Sequence, residues 1–303
     1  MSALAALASS AMVAATIRAA VPYVLAAEGG VLSERGGVVT VALEGMMLSG
    51  AFASIAVALA TGSTALGLGA AAAIGALVGL VHVTLVERFR VDGIVSGLAL
   101  NLAAAGGTRV LLRALYDSSS NSPALPSTET STGGLSWVLA ALTSPTTLLA
   151  VASAFGLAWM FRRTRIGLRI RAVGESPSVV SASGISVIGT RTIATSVGGA
   201  LAAVGGAALA FDQRMFQSQM TGGRGFIALA AVVLATWRPV PAFLACAGFA
   251  VLDALQVVLQ GEARSLEGLF QALPYAGTLV ALGVLLARRR KVSLAPRALG
   301  GGD

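Results

Sequence analysis

Polar side chains interrupt the long apolar segments of this sequence, and their positions suggest a route for a polar solute. The candidates for such a translocation path are Glu44, Asn101, Thr108, Asp253 and Gln256. Asn101 and Thr108 lie near one helical face with Gly97, because offsets of four and eleven residues return close to the same side of a helix. An unpaired charge at mid-bilayer costs about 2.5 to 3.5 kcal/mol on insertion scales. We therefore expect these groups to face a hydrogen-bonding passage or the interior of a bundle.

Pairing between helices is the alternative explanation for the charged members of this set. Arg18 and Arg109 also lie inside apolar segments. Either arginine could pair with Glu44 or Asp253, and the pair would then avoid the cost of a lone buried charge. The sequence leaves both explanations open.

A short glycine-rich stretch, MTGGRGFIALAAV at residues 220–232, is the candidate for a gate on the external side. Its candidate gate residues are Gly222, Gly223, Arg224, Gly225 and Phe226. The glycines permit a tight turn that leads into a half-helix whose N-terminal amides point into the protein. Residues 226–237 are only about 18 Å long as a helix, which is too short to span a bilayer comfortably. A packed re-entrant plug is the alternative.

The sequence offers no chemistry of its own for hydrolysis or group transfer. It lacks a phosphate-binding G-x-x-x-x-G-K-[ST] loop, its one lysine is Lys291 near the C-terminus, and no Ser/His/Asp, H-E-x-x-H or paired-carboxylate motif is present. Cys246 and His82 each occur once, so neither a disulfide nor a metal-ligand cluster can be built from them. We expect a chain that is not an enzyme and binds no cofactor.

The composition places the chain in a membrane. Of its 303 residues, 56% are hydrophobic and 11% are charged, whereas about a quarter are charged in soluble domains. The mean hydropathy is +0.84. The net charge of +8 comes from arginines at the ends of apolar segments, so we interpret it as a signal for membrane orientation and not for nucleic-acid binding.

Apolar segments of about 20 residues predict spanning helices. Eight are found, at residues 3–27, 38–60, 64–86, 93–115, 137–161, 193–211, 239–260 and 270–287. The first has no basic flank or A-x-A cleavage site and is interpreted as a helix, not a signal peptide. The expected fold is an all-α polytopic helical bundle, with the short segment at 226–237 as a discontinuous or re-entrant helix. Residues 1–303 form one transmembrane domain in this prediction.

Basic residues predict the orientation of the bundle. The predicted cytoplasmic side holds fifteen of the 21 Lys and Arg residues: Arg35, Arg88, Arg90, Arg162, Arg163, Arg165, Arg169, Arg171, Arg191, Arg238, Arg288, Arg289, Arg290, Lys291 and Arg297. The other side holds four: Arg113, Arg214, Arg224 and Arg264. Such an asymmetry places the N-terminus outside and the C-terminus in the cytoplasm. The polar loop at residues 116–136, which contains no Lys or Arg, is then an external loop.

The loop at residues 162–192 carries the densest positive charge in the chain. Five arginines are followed by a polar stretch that contains Pro177. We expect this stretch to form one short helix across the cytoplasmic face of the membrane, where a soluble partner can grip it.

Five blocks of sequence together resemble the membrane permease subunits of ATP-binding-cassette importers for branched-chain amino acids, simple sugars and nucleosides. The blocks are GVLSERGGVVTVALEGMML (30–48), GLALNLAAAGGT (97–108), RAVGESPSVVSASGI (171–185), MTGGRGFIALAAV (220–232) and LPYAGTL (273–279). The first and fourth look most like permeases that import nucleosides with basic-membrane-protein-type binding lipoproteins. The chain departs from the family pattern at Glu28, Thr40, Val41 and Ser176.

The resemblance implies a multi-pass protein of the bacterial cytoplasmic membrane that works in a complex. Its partners would be a second, non-identical permease subunit, a cytoplasmic ATP-binding subunit that holds the ATP and Mg²⁺, and an extracytoplasmic substrate-binding lipoprotein. In the family, the loop after Arg171 carries a coupling helix that docks on the ATPase. The matching positions here are Arg171, Gly174, Glu175, Pro177 and Gly184.

The resemblance also implies a mechanism of alternating access. ATP binding in the partner would move the helix between Gly174 and Gly184, and the spans that hold Glu44, Asn101 and Asp253 would reorient around a central passage. A nucleoside-like solute is the expected cargo, and a vitamin, a simple sugar or an amino acid is the alternative. An ion-coupled secondary transporter, with Glu44 or Asp253 as the coupling carboxylate, is a further alternative.

Overall fold

The computed structural model describes residues 10–126, 135–262, 276–280 and 283. Within these residues the regular structure is helical, apart from one antiparallel bridge between Asn121 and Gln217. The helices are α1 (Ser10–Arg35), α2 (Leu43–Thr61), α3 (Thr64–Glu87), α4 (Gly93–Tyr116), α5 (Leu135–Thr143), α6 (Pro145–Arg163), α7 (Arg165–Glu175), α8 (Pro177–Ala182), α9 (Val187–Gln213), α10 (Arg224–Leu234) and α11 (Pro239–Glu262). The predicted all-α fold is confirmed.

Among the described residues, six helices are long and apolar enough to cross a membrane. They are α1, α2, α3, α4, α9 and α11. The pair α5 and α6 makes a seventh span if it is counted as one crossing, and α10 is a shorter apolar helix, as the sequence predicted. The predicted span at 270–287 lies largely outside the described residues, where only 276–280 and 283 are seen as helix.

The connection between the first two spans begins later than the sequence suggested. Helix α1 continues to Arg35, and α2 begins only at Leu43. Residues 36–42 form a largely buried turn in which the Ser33 hydroxyl contacts Thr40 Oγ1 and lies 3.0 Å from Thr195 Oγ1 of α9. These hydroxyl contacts stabilise a polar turn inside an apolar bundle, where an unpaired backbone group is costly.

The predicted span at 137–161 is broken. Helices α5 and α6 meet at a bend of 54°. Ser144 caps α6 by accepting a hydrogen bond from Thr147 N, and Pro145 occupies the first helical position, where its missing N–H costs nothing. A cap and a proline in the middle of an apolar run therefore start a new helix, which hydropathy alone does not detect.

The loop at 162–192 contains two helices where one was predicted. The arginine-rich part is itself helical, as α7, and its buried residues recur at helical spacing: Gly167, Ile170, Val173 and Gly174. Ser176 interrupts the helix, and Pro177 starts the single-turn helix α8. The arginines stay helical because they lie on the exposed face of an amphipathic helix.

Helix α1 lies at the centre of the bundle and packs against α9 at backbone distance. A Cβ added at Gly29 of α1 would lie 2.2 Å from Gly198 O of α9. Helix α9 approaches α3 and α2 as closely, since a Cβ at Gly75 would lie 2.3 Å from Gly199 O and one at Gly206 would lie 1.9 Å from the carbonyl oxygen of residue 47. The glycine stripes thus serve packing within one subunit.

Helix ends meet at two levels, which we call the Arg35 end and the Ser10 end of the bundle. At the Arg35 end, Arg191 of α9 contacts Glu87 of α3 at 2.7 Å. His82 of α3 lies near the same end, fully buried, with its ring nitrogens 3.0 Å from Ser96 Oγ and 2.9 Å from Val39 O. His82 thus ties α3 to α4 and to the turn before α2.

Candidate functional site

Glu44 caps the short helix α10. It lies in the first turn of α2, and its carboxylate faces the first residues of α10. Oε1 accepts hydrogen bonds from Thr221 Oγ1 at 2.6 Å and from Gly223 N at 2.8 Å, and Oε2 accepts one from Gly225 N at 2.7 Å. A carboxylate is favoured there because a helix N-terminus has unpaired N–H groups and carries partial positive charge.

The glycines around Glu44 are required by two different constraints. Gly222 and Gly223 have φ values of +53° and +82°, in the left-handed region that glycine adopts without strain. Gly225 is needed for close approach, because a Cβ there would lie 2.5 Å from Glu44 N and 2.6 Å from Glu44 Cα. The predicted turn into a half-helix with inward-pointing amides therefore agrees with the geometry of this segment.

Arg224 connects α10 to α11 and α1. Its Nη2 lies 2.9 Å from Asp253 Oδ2, and its Nη1 donates to Met220 O at 3.3 Å. Its guanidinium carbon lies 5.9 Å from the centre of the Tyr23 ring, within the range of a cation–π contact. The two side chains of the ion pair are 24% and 12% exposed, so the charges compensate each other in a largely dry setting.

Asn101 fixes the start of α2 beside Glu44. Its Oδ1 accepts a hydrogen bond from Gly45 N at 2.7 Å, and its Nδ2 donates to Val41 O at 3.0 Å. One turn away, a Cβ at Gly97 would lie 2.9 Å from the backbone nitrogen of residue 42. Helix α4 therefore presses directly on the backbone that positions Glu44.

The remaining candidates for the path and the gate lie around this cluster. Thr108 is buried in α4, and its hydroxyl donates to Ala104 O of its own helix at 2.7 Å. Gln256 is half-buried on α11, one turn after Asp253. Phe226 is 44% exposed. The structure thus joins Glu44, the 221–225 segment, Asp253 and Asn101 in one network, whereas none of the hydrogen bonds just described links Thr108 to it.

The ion pairs that the sequence left open, of Arg18 or Arg109 with Glu44 or Asp253, are not the ones that form. Arg18 Nε lies 3.2 Å from Asp212 Oδ1, and Arg109 Nε donates to Ser218 Oγ at 2.9 Å. Asp253 pairs with Arg224 instead, because the chain between α9 and α10 returns into the bundle and places Arg224 beside α11. With the helix bounds of the structure, Arg18 lies near the start of α1 and Asp212 near the end of the antiparallel α9, so the two lie at the same depth. The span predicted at residues 3–27 placed Arg18 past its middle and so concealed this match.

Glu28 is a buried carboxylic acid that the sequence marked only as a departure from small residues. It lies on α1, is 0% exposed, and neither of its oxygens has a hydrogen-bond partner within the described part of the chain. A cavity of about 510 Å³ lies elsewhere, at the Ser10 end, where the Arg18–Asp212 pair forms part of its wall.

The coupling positions differ in what holds them. Gly174 is buried, and a Cβ there would lie 2.1 Å from Arg35 O. Arg171 Nη1 donates to Phe161 O at 3.0 Å and so ties α7 back to the end of α6. Glu175 is exposed, and Gly184 ends the loop with a φ of +78°. Pro177 is half-buried at the start of α8. Arg171 and Glu175 are therefore the two predicted coupling positions that present a charge at the surface.

Comparisons with known proteins agree on one family. The family model described as the permease component of branched-chain amino acid transport systems matches residues 12–286. The chain is 35% identical to the guanosine ABC transporter permease protein NupQ of Bacillus subtilis (strain 168), over 91% of this chain and 89% of that protein. It is 34% identical to the nucleoside ABC transporter permease protein NupC of Lactococcus lactis subsp. cremoris (strain MG1363), over 92% of each chain.

A third relative carries a different name for its cargo. The chain is 33% identical to the putative glucose ABC transporter permease protein TsgC13 of Haloferax volcanii, over 94% of each chain. No solved structure matches the chain.

Proposed function

The chain belongs to the family of permease components of branched-chain amino acid transport systems, and we propose that it forms half of the translocation pathway of an ATP-binding-cassette importer for a nucleoside-like solute. The cargo assignment is supported by two relatives, named as guanosine and nucleoside permeases, that align over about nine tenths of this chain. A simple sugar is the alternative cargo, since the third relative is named a putative glucose permease.

The chain is a transport component of the membrane, and the reaction that drives it takes place in another subunit. Permeases of this family work with an ATP-binding subunit and a substrate-binding partner. We propose in addition that the second permease is non-identical, that the substrate-binding partner is an extracytoplasmic lipoprotein, and that ATP and Mg²⁺ bind only to the ATPase. Residues 1–303 act as one transmembrane domain in this proposal.

The single observation that carries the proposed mechanism is the set of three hydrogen bonds between Glu44 and the start of α10. In this proposal these bonds close the interior of the bundle, and a rigid movement of α10 can break them together. In this conformation the gate, residues 222–226, lies on Glu44. When α10 withdraws, the Glu44 carboxylate and the 221–225 amides are released, and both can bind the hydroxyl and amide groups of a solute.

The other path residues take two roles in this proposal. Asp253 holds the gate through Arg224, and Asn101 keeps Glu44 in place through the backbone of α2. Thr108 and Gln256 lie on the same helices as Asn101 and Asp253 and would extend the path along them. Glu44 is bonded to the 221–225 segment, and Asp253 is paired with Arg224. This disfavours the alternative in which one of the two is the free coupling carboxylate of an ion-driven carrier.

We further propose eight spans, with the N-terminus outside and the C-terminus in the cytoplasm. The clustering of arginines at the Arg35 end supports this orientation, because Arg35, Arg88, Arg191 and Arg238 lie at or near the ends of α1, α3, α9 and α11 that meet there. Arg171 lies within α7, which contacts the end of α1. The loop that contains α7 and α8 then faces the cytoplasm, where Arg171, Gly174, Glu175, Pro177 and Gly184 meet the ATPase.

Co-purification and reconstitution test this function. The chain is isolated in mild detergent, and the ATP-binding subunit and a second permease are expected to remain bound to it. The complex is then placed in liposomes with the substrate-binding partner, and uptake of labelled guanosine is followed with and without ATP. Excess unlabelled glucose serves as the competitor and should not reduce uptake.

Three outcomes separate the candidate functions. ATP-dependent guanosine uptake that glucose does not inhibit supports the proposal. ATP-dependent uptake of glucose in place of guanosine replaces the cargo but keeps the importer. Uptake by the isolated chain that needs no ATP and collapses with the proton or sodium gradient would identify a secondary transporter and contradict the proposal.

A further inference from the structure

Two consecutive residues after α10 hold a backbone conformation that neither prefers. Helix α10 ends at Leu234, and Thr236 and Trp237 have φ values of +53° and +55°. A left-handed conformation is strained for a residue with a Cβ, because the Cβ lies too close to the following carbonyl oxygen. Their N–H groups bond back to Val233 O at 3.0 Å and Val232 O at 3.1 Å. Such strain persists only where the surroundings impose it.

The surroundings in this case are two adjacent residues of α1. The Trp237 indole Nε1 donates to Glu34 Oε2 at 2.5 Å, and Arg35 Nε donates to Trp237 O at 2.7 Å. Glu34 is 3% exposed, and its other oxygen accepts a hydrogen bond from Thr40 N at 3.3 Å. Two bonds to a single residue, one to its side chain and one to its backbone, fix both its position and its rotation.

The same turn of α1 is one of the surfaces that α7 contacts, beside α6 and α9. Gly174 lies so close to Arg35 O that a Cβ there would be 2.1 Å away. Two charged residues of α7 act on the Arg35 guanidinium, Arg171 by repulsion and Glu175 by a weaker attraction. Arg191 Nε donates to Gly36 O at 3.0 Å, so α9 contacts the next residue. A displacement of α7 therefore acts on the residues that hold Trp237.

Helix α10 carries such a displacement to the gate. It contains 11 residues and is about 16 Å long, with Trp237 just beyond one end and Glu44 bound at the other. A helix of this length moves as a rigid body, because stretching it would break its internal hydrogen bonds. A shift at its C-terminal end becomes a shift of the amides that Glu44 holds.

We infer that Glu34, Arg35 and Trp237 form a joint that transmits movement of α7, the helix that leads into the predicted coupling segment between Gly174 and Gly184, through α10 to the Glu44 gate, an inference that rests on the proposed importer function. These three are positioning residues: they contact neither ATP nor the solute, and they determine how much of a movement at Gly174 reaches residues 221–225. The SER sequence at residues 33–35 and the tryptophan after the short helix thereby receive a role in transport.

The test measures solute imported per ATP hydrolysed by the reconstituted complex. Trp237→Phe keeps the aromatic ring but removes the N–H that bonds to Glu34. We expect ATP hydrolysis within about twofold of the wild type and at least a fivefold loss of guanosine imported per ATP. Trp159→Phe is the matched control, because Trp159 is 64% exposed on α6, and its ratio should be unchanged.

Glu34→Gln provides a second variant of nearly the same shape, in which one acceptor oxygen remains for the two donors Trp237 Nε1 and Thr40 N. The double variant tests whether Glu34 and Trp237 act through their shared bond. We expect the double variant to be no worse than the poorer single variant, since one bond can be lost only once. An unchanged ratio of uptake to hydrolysis in Trp237→Phe and Glu34→Gln would overturn the joint. An equal fall of uptake and ATP hydrolysis, or a failure of both variants to assemble, would also overturn the joint, because either result would indicate a purely structural contact.

The wild-type complex distinguishes this inference from the proposed function. If the wild type imports no solute with ATP, the proposed function fails and the joint fails with it. If the wild type imports guanosine and Trp237→Phe does so with equal efficiency, only the joint is contradicted.

Discussion

The two ends of α10 are held by opposite chemistry. At its N-terminus, a carboxylate accepts hydrogen bonds from two backbone amides and one hydroxyl. Beyond its C-terminus, the Arg35 guanidinium donates to Trp237 O, and the Trp237 indole donates to the Glu34 carboxylate of α1. Glu44 at the N-terminus and Arg35 beyond the C-terminus match the direction of the helix dipole, whereas the Glu34 carboxylate that accepts from the indole does not.

The difference lies in which atoms belong to α10. At the N-terminal end the segment contributes mainly backbone, so its geometry depends on glycine and on one external acid, Glu44. At the C-terminal end it contributes the side chain of Trp237 and two left-handed residues. The first contact can separate and re-form without any change of rotamer, as a gate requires, whereas the second is fixed at several points, as a joint requires.

Glu44→Ala should break the N-terminal contact and produce the largest effect. Three donors would lose their acceptor, and unsatisfied buried donors cost about 1 to 3 kcal/mol each. We expect the detergent-solubilised complex to unfold at a clearly lower temperature, with a loss of about 3 kcal/mol, and uptake to be abolished. Glu44→Gln keeps one acceptor oxygen, so its stability and uptake should lie between those of Glu44→Ala and the wild type. A Glu44→Ala protein as stable as the wild type would show that this contact does not hold α10.

Gly225→Ala should open the same contact from the other side. Its methyl group would lie 2.5 Å from Glu44 N, so α10 must move away, at a cost of about 1 to 3 kcal/mol for overpacking. We expect uptake to fall about tenfold while ATP hydrolysis continues. Gly248→Ala on α11 is the control, because nothing lies within 4 Å of a Cβ there. Equal behaviour of the two variants would contradict close packing at the gate.

A double-mutant cycle on Arg224 and Asp253 should sharpen the comparison by measuring the only ion pair described at the gate end. With side chains 24% and 12% exposed, we expect a coupling free energy of about 1 to 2 kcal/mol, below the 3 to 5 kcal/mol for breaking a fully buried pair. Arg224→Gln, Asp253→Asn and the double variant are compared by thermal unfolding. Additive losses would mean that the two side chains act independently.

Glu28→Met should have the smallest effect, and of opposite sign. Glu28 stands on α1 between Tyr23, which contacts Arg224, and Glu34, which holds Trp237, yet its oxygens bond to neither end of α10. Replacing a buried polar group without a partner by an apolar side chain of similar length should stabilise the protein by about 1 kcal/mol. Thermal unfolding measures the change. A more stable variant that no longer transports would show that Glu28 serves transport at a cost in stability.

The sequence predicted the helices well where hydropathy decides and poorly where local capping decides. The spans at 64–86 and 93–115 agree with α3 and α4 to within a residue or two. The break at Ser144 and the late start of α2 depend on a serine cap and on a turn of hydroxyl groups, which raise or lower hydropathy very little. The division of the arginine loop into α7 and α8 likewise depends on one serine before a proline.

For the site, residue types were predicted better than partners. Glu44, Asn101 and Asp253 were selected because polar groups are costly in a span, and the 222–226 segment because its glycines permit a tight turn. They do lie together. Their partners were missed because pairing depends on depth, and Arg224 was assigned to an outer loop. Glu34 and Trp237 were missed altogether: nothing in a sequence indicates that an indole after one helix reaches a carboxylate before the end of another.

The bridge between Asn121 and Gln217 gives the gate a short tether. Only three residues separate Gln217 from Thr221, whose hydroxyl bonds to Glu44. An extended chain covers at most about 3.6 Å per residue, so the bridged pair and the Glu44 carboxylate cannot separate freely. While the bridge persists, the loop after α4 is therefore joined to the interior of the bundle, and Gln217 stays within about 14 Å of the Thr221 residue that bonds to Glu44.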